Sequence, residues 1–331
     1  MLRLERVPLE EVDWETVEAF SDRNVFQTAG WLEFVARTQG AEPVVARIER
    51  DRELAGWFTG LIVRRYGVPI LGSPFQGWTT GPMGFNLAPG IDRREAVEAL
   101  LPFAFQRLRC LHLELLDRRA RFEELSGLGA RLAEFNTYEV DLAREEDEIF
   151  GGMSSACRRA IRKGAKEGVR VEEAHGIEFA DEYYAQLEDV FAKQSLRPPY
   201  GVERVRELVR CLEPSGQLLL VRAVSPEGHR IATAIFPVLN EFAYFWGGAS
   251  WRTHQILRPN EAVFWYTMRL LRERGIPLLD LGGGGEYKRK YGPRERRIPF
   301  FRKSRVRGMM TLRDIAARIQ WHRATRAGAE A

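Results

Sequence analysis

The hydrophobic pattern in the first half of the chain predicts strands placed between helices. Apolar residues recur at helical spacing in segments 30–38 and 93–108, whereas shorter runs of β-branched and aromatic residues indicate strands. The predicted strands are 42–50, 54–65, 68–72, 111–116 and 136–142. A turn at Asp51–Arg52 separates the first two strands, and a loop rich in Gly, Pro and Thr, 73–90, follows the third. This half is therefore predicted to run helix, antiparallel meander, helix and strand.

The second half repeats that order. Helical spacing predicts helices at 154–168, 179–194, 202–212 and 260–275, and strand patterns predict strands at 217–224, 230–239, 242–249 and 276–282. We therefore predict an α/β (α+β) fold of two related lobes, each a mixed, largely antiparallel sheet flanked by helices. The predicted ranges are 1–145 for the first lobe, 146–305 for the second, and 306–331 for a C-terminal helix.

Composition agrees with a globular chain of two domains. The 331 residues exceed the usual size of a single core, and 45% apolar with 29% charged residues is an ordinary globular balance. Three widely spaced cysteines support neither a disulfide framework nor a Cys-x-x-Cys site, and the start "MLRLERVPLEEVDWE" lacks a signal-peptide pattern. The apolar region 231–251 is broken by Asn240 and Glu241, which favours two strands over a membrane span. We expect a cytoplasmic location, either without membrane contact or peripheral to the inner membrane.

Charge is unevenly distributed although the net charge of +4 is mild. Segment 286–307 carries ten Lys and Arg against two Glu, whereas residues 145–148 are all acidic. This asymmetry favours an anionic partner for the C-terminal half. The alternative is a basic face that only contacts solvent.

Four glycines, Gly282 to Gly285, end an apolar run and precede Lys288. Such a stretch suggests a phosphate-binding loop, but a P-loop needs a hydroxyl directly after its lysine, and Arg289 stands there. The dinucleotide pattern needs a third glycine at a position that Tyr287 or Lys288 occupies. Neither common nucleotide motif is present.

Five segments in a fixed order carry a family resemblance: 26–35, 70–84, 157–171, 258–283 and 286–292. Together they resemble the Fem-type (FemAB-like) branch of the GNAT acyltransferase superfamily, over residues 25 to 305. That branch holds peptidoglycan-bridge aminoacyltransferases and envelope- and exopolysaccharide-associated proteins labelled N-acetyltransferases. The resemblance implies GNAT-like lobes and transfer of an acyl or aminoacyl group to an amine of a cell-envelope or polysaccharide precursor. The alternative is a non-catalytic GNAT-fold module that binds an anionic glycan or lipid.

The resemblance also assigns roles to the glycine stretch. A strand ending in Asp280 is followed by glycines that permit positive φ, so the turn can bring Lys288 to a cleft. Lys288 would stabilise the oxyanion of acyl transfer or a donor phosphate, and Tyr287, where the family usually has Phe, would position the donor. Asp280 would brace the turn. The alternative is that the glycines only turn the chain and Lys288 is solvated.

The donor is expected to be acyl-CoA or aminoacyl-tRNA, with no cofactor otherwise implied. The resemblance places the usual pyrophosphate loop at 250–264, where the required glycines are missing, so we expect acetyl-CoA to bind weakly. Arg252, His254 and Arg258 are candidates to hold a phosphate through side chains. Asn260 is predicted to be the N-cap of the following helix, and the histidines lack metal-ligand spacing.

A basic helix provides candidates for acceptor binding. Two pairs of basic residues are each four residues apart and therefore share a helical face: Arg158 with Arg162, and Arg159 with Lys163. This face continues to Lys166 and is predicted to hold an anionic acceptor: a nucleotide- or lipid-linked sugar, or tRNA. A solvated helix is the alternative. Trp78 is a candidate cleft wall, and Arg197 is either a cleft residue or an ordinary loop arginine.

The C-terminal tail predicts an amphipathic helix. Apolar residues at helical spacing stand beside arginines: Met309, Leu312, Ile315, Ile319 and Trp321 with Arg313, Arg318, Arg323 and Arg326. Such a helix either docks on the body of the protein or attaches reversibly to an anionic membrane surface.

Overall fold

The computed structural model describes residues 1–65, 67–75, 77–193, 195–306 and 308. These residues form two compact units: Met1–Asn136 with the described residues after Arg296, and Thr137–Arg296. The predicted lobe ranges stay predictions, and the predicted tail helix lies outside the described residues, except for its first few positions.

The described chain contains fourteen strands and nine α-helices. Strands of the first half are β1 (Arg3–Val7), β2 (Glu42–Arg50), β3 (Glu53–Arg65), β4 (Val68–Ser73), β5 (Gly84–Leu87), β6 (His112–Leu116) and β7 (Arg131–Asp141). Its helices are α1 (Trp14–Glu18), α2 (Ala29–Gln39), α3 (Arg93–Pro102) and α4 (Phe122–Leu125). The remaining strands are β8 (Arg170–Ala174), β9 (Leu218–Val224), β10 (Arg230–Leu239), β11 (Phe242–Tyr244), β12 (Gly247–Ser250), β13 (Leu278–Asp280) and β14 (Arg294–Ser304). The remaining helices are α5 (Glu146–Gly152), α6 (Ser155–Lys166), α7 (Phe179–Ala192), α8 (Val202–Leu212) and α9 (Pro259–Glu273).

The sheet of the first unit has the order β1-β2-β3-β4-β6-β14, and β5 pairs with β3. Strands β1 to β4 form an antiparallel meander, β4 and β6 are parallel, and β14 is antiparallel to β6. Asp51 and Arg52 adopt positive φ in the predicted turn between β2 and β3. The core lies where apolar side chains of these strands meet α3, and Phe58, Leu100 and Phe301 are completely buried there.

The sheet of the second unit repeats this plan. Its order is β8-β9-β10-β11-β13-β7, with β12 paired to β10. Strands β8 to β11 are antiparallel, β11 and β13 are parallel, and β7 is antiparallel to β13. The predicted fold class is confirmed: two lobes, each with a mixed, largely antiparallel sheet. Helix α9 packs on β9 and β10, α7 packs against β10 and β12, and α6 packs on α9.

Some predicted elements differ from the structure. The predicted helix 93–108 ends at Pro102 and continues as one π-helical turn, and the predicted strand 242–249 is divided into β11 and β12. The Asn260 prediction was wrong: Arg258, in the left-handed region, is the N-cap, and Pro259 takes the first helical position. Proline suits that position because its φ is already helical and no N–H is needed there. Of the helices in the described ranges, none has both the length and the apolar character required to cross a membrane.

Candidate active site

The second unit contains an opening at the carboxyl end of β13. Strands β11 and β13 pair over only three residue pairs, the last being Tyr244 with Asp280. The Phe245 N–H then donates to the Asp280 carbonyl at 2.8 Å, after which β12 continues along β10. On the other side the Leu281 N–H donates to the Tyr138 carbonyl of β7 at 2.7 Å. The two chain segments therefore diverge beyond Asp280.

The glycine turn lies at this divergence. Gly282, Gly284 and Gly285 all adopt positive φ, as the sequence predicted. A short 3-10 helix, Glu286–Tyr291, follows and carries Lys288, whose side chain turns back to the glycines. The Lys288 ammonium donates to the Gly283 carbonyl at 3.0 Å and the Gly282 carbonyl at 3.4 Å. Lys288 is only 7% exposed, so it is not simply a solvated lysine.

The electrostatics of Lys288 are set by burial and by Asp280. Burial lowers the pKa of Lys288, and the nearby Asp280 carboxylate partly opposes that shift. Asp280 is itself buried; its Oδ1 accepts a bond from the Thr137 hydroxyl and another, at 2.7 Å, from the Gly282 N–H. These bonds tie the strand end to the turn. The result is an ammonium held at the opening by two glycine carbonyls.

Aromatic side chains surround the ammonium. Its nitrogen lies 5.8 Å from the centre of the Phe245 ring and 6.0 Å from that of Tyr287. Tyr287 is 52% exposed at the surface of the turn, whereas Tyr291 is buried and stacked on Phe264 at 4.4 Å. Tyr244 is also close, since a Cβ added at Gly282 would lie 3.0 Å from its hydroxyl oxygen. Burial, and secondarily the Asp280 charge, raises the pKa of Tyr244, so its phenol stays protonated.

Two further tyrosines lie beside β12 and were not anticipated from the sequence. The Tyr183 and Tyr200 hydroxyls are 3.0 Å apart, and both rings pack near the Trp246 indole. A side chain at Gly247 would overlap the Tyr183 hydroxyl. The sequence signal was the Gly247–Gly248 pair inside a strand pattern, which marks a close approach of other atoms to the backbone.

The arginines of α6 that were predicted to bind an acceptor have other contacts. Arg158 donates to the Gly151 carbonyl at 2.8 Å and to the Met153 carbonyl, at the end of α5. The Arg162 guanidinium lies 5.2 Å from the centre of the Phe150 ring. Lys163, by contrast, lines a cavity next to α9.

The other predicted binding residues are dispersed. Arg252 is ion-paired with Asp189 at 2.9 Å, and Arg197 is exposed in the connection between α7 and α8. Trp78 belongs to the first unit, where it packs 5.0 Å from Phe75. The structure thus places Lys288 and Tyr287 together at the strand opening, and the binding roles of the other residues stay predictions.

In the first unit, the equivalent strand end is occupied by an ion pair. Asp117 follows β6 and accepts bonds from the Arg93 guanidinium and, at 3.0 Å, from the Phe85 N–H. A Cβ added at Gly84 would lie 2.6 Å from the Asp117 carboxylate, so β5 leaves little room there. This comparison favours the second unit as the one that carries chemistry. Within the described ranges no three His, Cys, Asp or Glu side chains are placed to share a metal ion.

A family model agrees with this assignment. Residues 153–290 match the model described as "Acetyltransferase (GNAT) domain". The matched segment lies inside the second unit and includes β11 to β13, the glycine turn and Lys288. The matched segment is therefore similar to a GNAT-type acetyltransferase domain. A comparison with curated proteins found no significant match.

Solved structures share the fold of this chain over about nine tenths of its length. FemX matches with a TM-score of 0.73 at 14% identity, covering 90% of this chain and 96% of that one. The C-terminal domain (DUF2156) of a candidate lysylphosphatidylglycerol synthetase from Agrobacterium fabrum matches with a TM-score of 0.58 at 13% identity, covering 92% and 96%. A tandem GNAT protein from the clavulanic acid biosynthesis pathway matches with 0.55 at 14%, covering 92% and 98%. The chain thus shares its fold with these three proteins over nearly its whole length.

Proposed function

We propose that this protein transfers an acyl or aminoacyl group to an amine of a cell-envelope precursor, with the chemistry in the second unit. The observation that carries the proposal is the Lys288 ammonium, buried at the opening between β12 and β13 and held there by two glycine carbonyls. A buried, preorganised positive charge stabilises negative charge more effectively than a solvated one, because little reorganisation is needed during the reaction.

The reaction requires few groups from the protein. The acceptor amine attacks the donor carbonyl, a C–N bond forms, and the carbonyl oxygen gains negative charge that Lys288 stabilises. Collapse of this intermediate breaks the bond from carbon to the sulfur or oxygen of the donor. The amine proton passes to water, and water reprotonates the leaving group. Holding both reactants in one opening supplies much of the acceleration through proximity.

The class of acceptor rests on the family resemblance and on the FemX fold. Fem-type transferases of the peptidoglycan bridge use an envelope precursor; this chain resembles them in the order of its segments, and it has the fold of FemX over 90% of its length. A role with exopolysaccharide has no support from the structural comparisons, and we do not propose it. GNAT domains generally take acyl-CoA, so acyl-CoA and aminoacyl-tRNA are the two donors to test.

Substitution of Lys288 tests the proposal. We expect Lys288→Ala to lower kcat about 100- to 1000-fold, the usual effect of removing one oxyanion donor, while acceptor binding is retained. Lys193→Ala, at an exposed lysine directly after α7, is the matched control and should leave transfer unchanged. If the wild-type protein transfers nothing from acyl-CoA or aminoacyl-tRNA but binds an anionic glycan or lipid, the enzyme proposal is wrong. The protein would then be a non-catalytic binding module.

A further inference from the structure

A cavity of about 420 Å³ lies in the first unit, at the end of the sheet where β3 finishes and β4 begins. Its charged lining comes from four arginines and two glutamates: Arg3, Arg6, Arg64, Arg107, Glu5 and Glu42. Strand β4 ends at Ser73, and Asp117 follows its parallel neighbour β6 at that other end of the sheet. The cavity is therefore remote from the strand end that corresponds to the Lys288 opening, and its size is that of a small-molecule site.

The carboxylates in this cavity do not balance its arginines. Glu42 is shared, with its oxygens 2.8 Å from the Arg6 guanidinium and 3.8 Å from that of Arg64. Glu5 lies 3.9 Å from Arg3, at the limit of an ion pair, and both side chains are mostly exposed. Four positive charges therefore meet two negative ones, which leaves the lining with an excess of two positive charges.

Arg107 supplies the charge that is least compensated. It ends the π-helical turn that follows α3, whereas the other three arginines come from β1 and β3. In the part of the chain that the structure describes, no carboxylate lies within ion-pair distance of its guanidinium. The arginines thus reach a common space from both the helix layer and the sheet, an arrangement that a bound anion would stabilise.

The cavity also has an apolar part. Leu4 of β1, Ile62 of β3 and Phe103 of the π-helical turn line it, and they are only 4–8% exposed. A ligand with an apolar group beside its charge would therefore contact both parts. Arginine presents several N–H donors in a planar fork, which suits the oxygens of a phosphate or a carboxylate.

We propose that this cavity binds a small soluble phosphate monoester, with its phosphate held by Arg64 and Arg107 and its apolar body placed against Ile62 and Phe103. A phosphate monoester carries about −1.5 to −2 charges at pH 7, which matches the excess of two positive charges better than a single carboxylate does. A lipid headgroup offers the same chemistry, so vesicles form one arm of the test. The site lies in a different unit from Lys288 and does not depend on the proposed transfer.

A titration of the isotope-labelled full chain with phenyl phosphate, followed through the backbone amide signals of Leu4, Ile62 and Leu108, tests this inference. We expect saturable shifts with a Kd on the order of 1 mM at low salt, as for a few charge-assisted contacts on an accessible surface, and weaker binding as salt rises. Inorganic phosphate lacks the apolar body and benzoate lacks the second charge, so each should bind about threefold more weakly or worse.

The double substitution Arg64→Ala with Arg107→Ala should weaken phenyl phosphate binding about tenfold, because it removes both groups that hold the phosphate. Both side chains are exposed, so the fold should be retained. The matched control is Arg47→Ala with Arg52→Ala, at two exposed arginines toward the other end of the β2–β3 hairpin. One of them is ion-paired with a glutamate, as Arg64 is. The control should leave the Kd within about twofold.

A substitution of opposite sign completes the test. Glu5→Gln removes a carboxylate from the cavity and should strengthen binding about twofold. Unchanged binding in the Arg64/Arg107 variant, equal weakening in the control, weaker binding in Glu5→Gln, or no saturable shift at about 20 mM phenyl phosphate would each overturn the inference. Phosphatidylglycerol vesicles should not displace phenyl phosphate, and displacement would overturn the assignment to a small soluble molecule.

Discussion

Gly282 and Gly284 have nearly the same backbone conformation, with φ of 74° and 71°, but different surroundings. A Cβ at Gly282 would lie 3.0 Å from the Tyr244 hydroxyl and 3.6 Å from the Lys288 nitrogen, whereas a Cβ at Gly284 would contact nothing within 4 Å. Alanine at either position carries the cost of a left-handed conformation, about 1 kcal/mol. Only at Gly282 does it also crowd the candidate site.

We therefore predict that Gly284→Ala lowers stability by about 1 kcal/mol with little change in transfer, and that Gly282→Ala lowers transfer at least tenfold. Urea unfolding and initial rates of the two variants measure both effects. Equal activity of the two variants would show that the Gly282 side of the turn does not shape the site.

The lowered pKa of Lys288 gives a second prediction at this scale. The ordinary lysine pKa is about 10.4, and burial moves that of Lys288 down. As pH rises through this lowered value the ammonium loses its charge, so the advantage of wild type over Lys288→Ala in kcat/KM should fall. The quantity to measure is the ratio of kcat/KM between wild type and Lys288→Ala, since ionisation of the acceptor amine affects both enzymes equally. A ratio that rises with pH would instead indicate a neutral lysine acting as a base.

At the scale of elements, the crossing of α6 and α9 depends on Gly164. A residue larger than glycine must displace the Leu257 carbonyl, which lies 3.2 Å from the added Cβ, and backbone cannot yield as a flexible side chain does. We predict that Gly164→Val destabilises the protein by about 1–3 kcal/mol, the usual cost of overpacking. Ala165→Val, at the next and exposed position of α6, is the control and should cost less than about 1 kcal/mol. Unfolding curves that are the same for both variants would contradict the close crossing.

Elements also show what the sequence could predict. Strands β2, β3, β9 and β10 were predicted almost to the residue. The last three are apolar runs buried along most of their length, and β2 has four buried apolar residues among polar ones. The strands β1 and β8 lie at sheet edges and are largely polar, so a local pattern did not reveal them. Strand β5 was not predicted, because it lies in a segment rich in glycine and proline that was interpreted as a loop. The four glycines predicted the turn before Lys288, but its burial depends on Phe245 and other distant residues.

At the scale of the whole molecule, the two sheets share one plan although no repeat is detectable in the sequence. In each, four antiparallel strands are followed by a parallel neighbour and then by a final antiparallel strand. The strand ends of the two units differ, since Asp117 of the first unit holds Arg93 whereas Asp280 of the second lies near Lys288.

The final strand of the first unit, β14, comes from the far end of the chain. It pairs with β6 from Phe300 with Leu116 to Ser304 with His112, and contributes Ile298, Phe300 and Phe301, all nearly or completely buried. This strand was not predicted from the sequence, because basic residues surround its apolar positions and segment 286–307 was interpreted only as a cationic run. Burial of three such side chains contributes about 1.5–3 kcal/mol each, a large share of a typical stability of 5–15 kcal/mol.

We therefore predict that a chain ending at Gly292 loses the first unit selectively. Hydrogen exchange should show lost protection in β4 and β6, whereas β9 and β10 keep theirs because their pairing and core do not involve β14. A chain ending at Val306 retains the whole of β14 and is the matched control, with protection expected to equal that of the full chain. Continued protection of β6 in the shorter chain would contradict this prediction. It would show that the first unit folds without the strand that the other half of the sequence supplies.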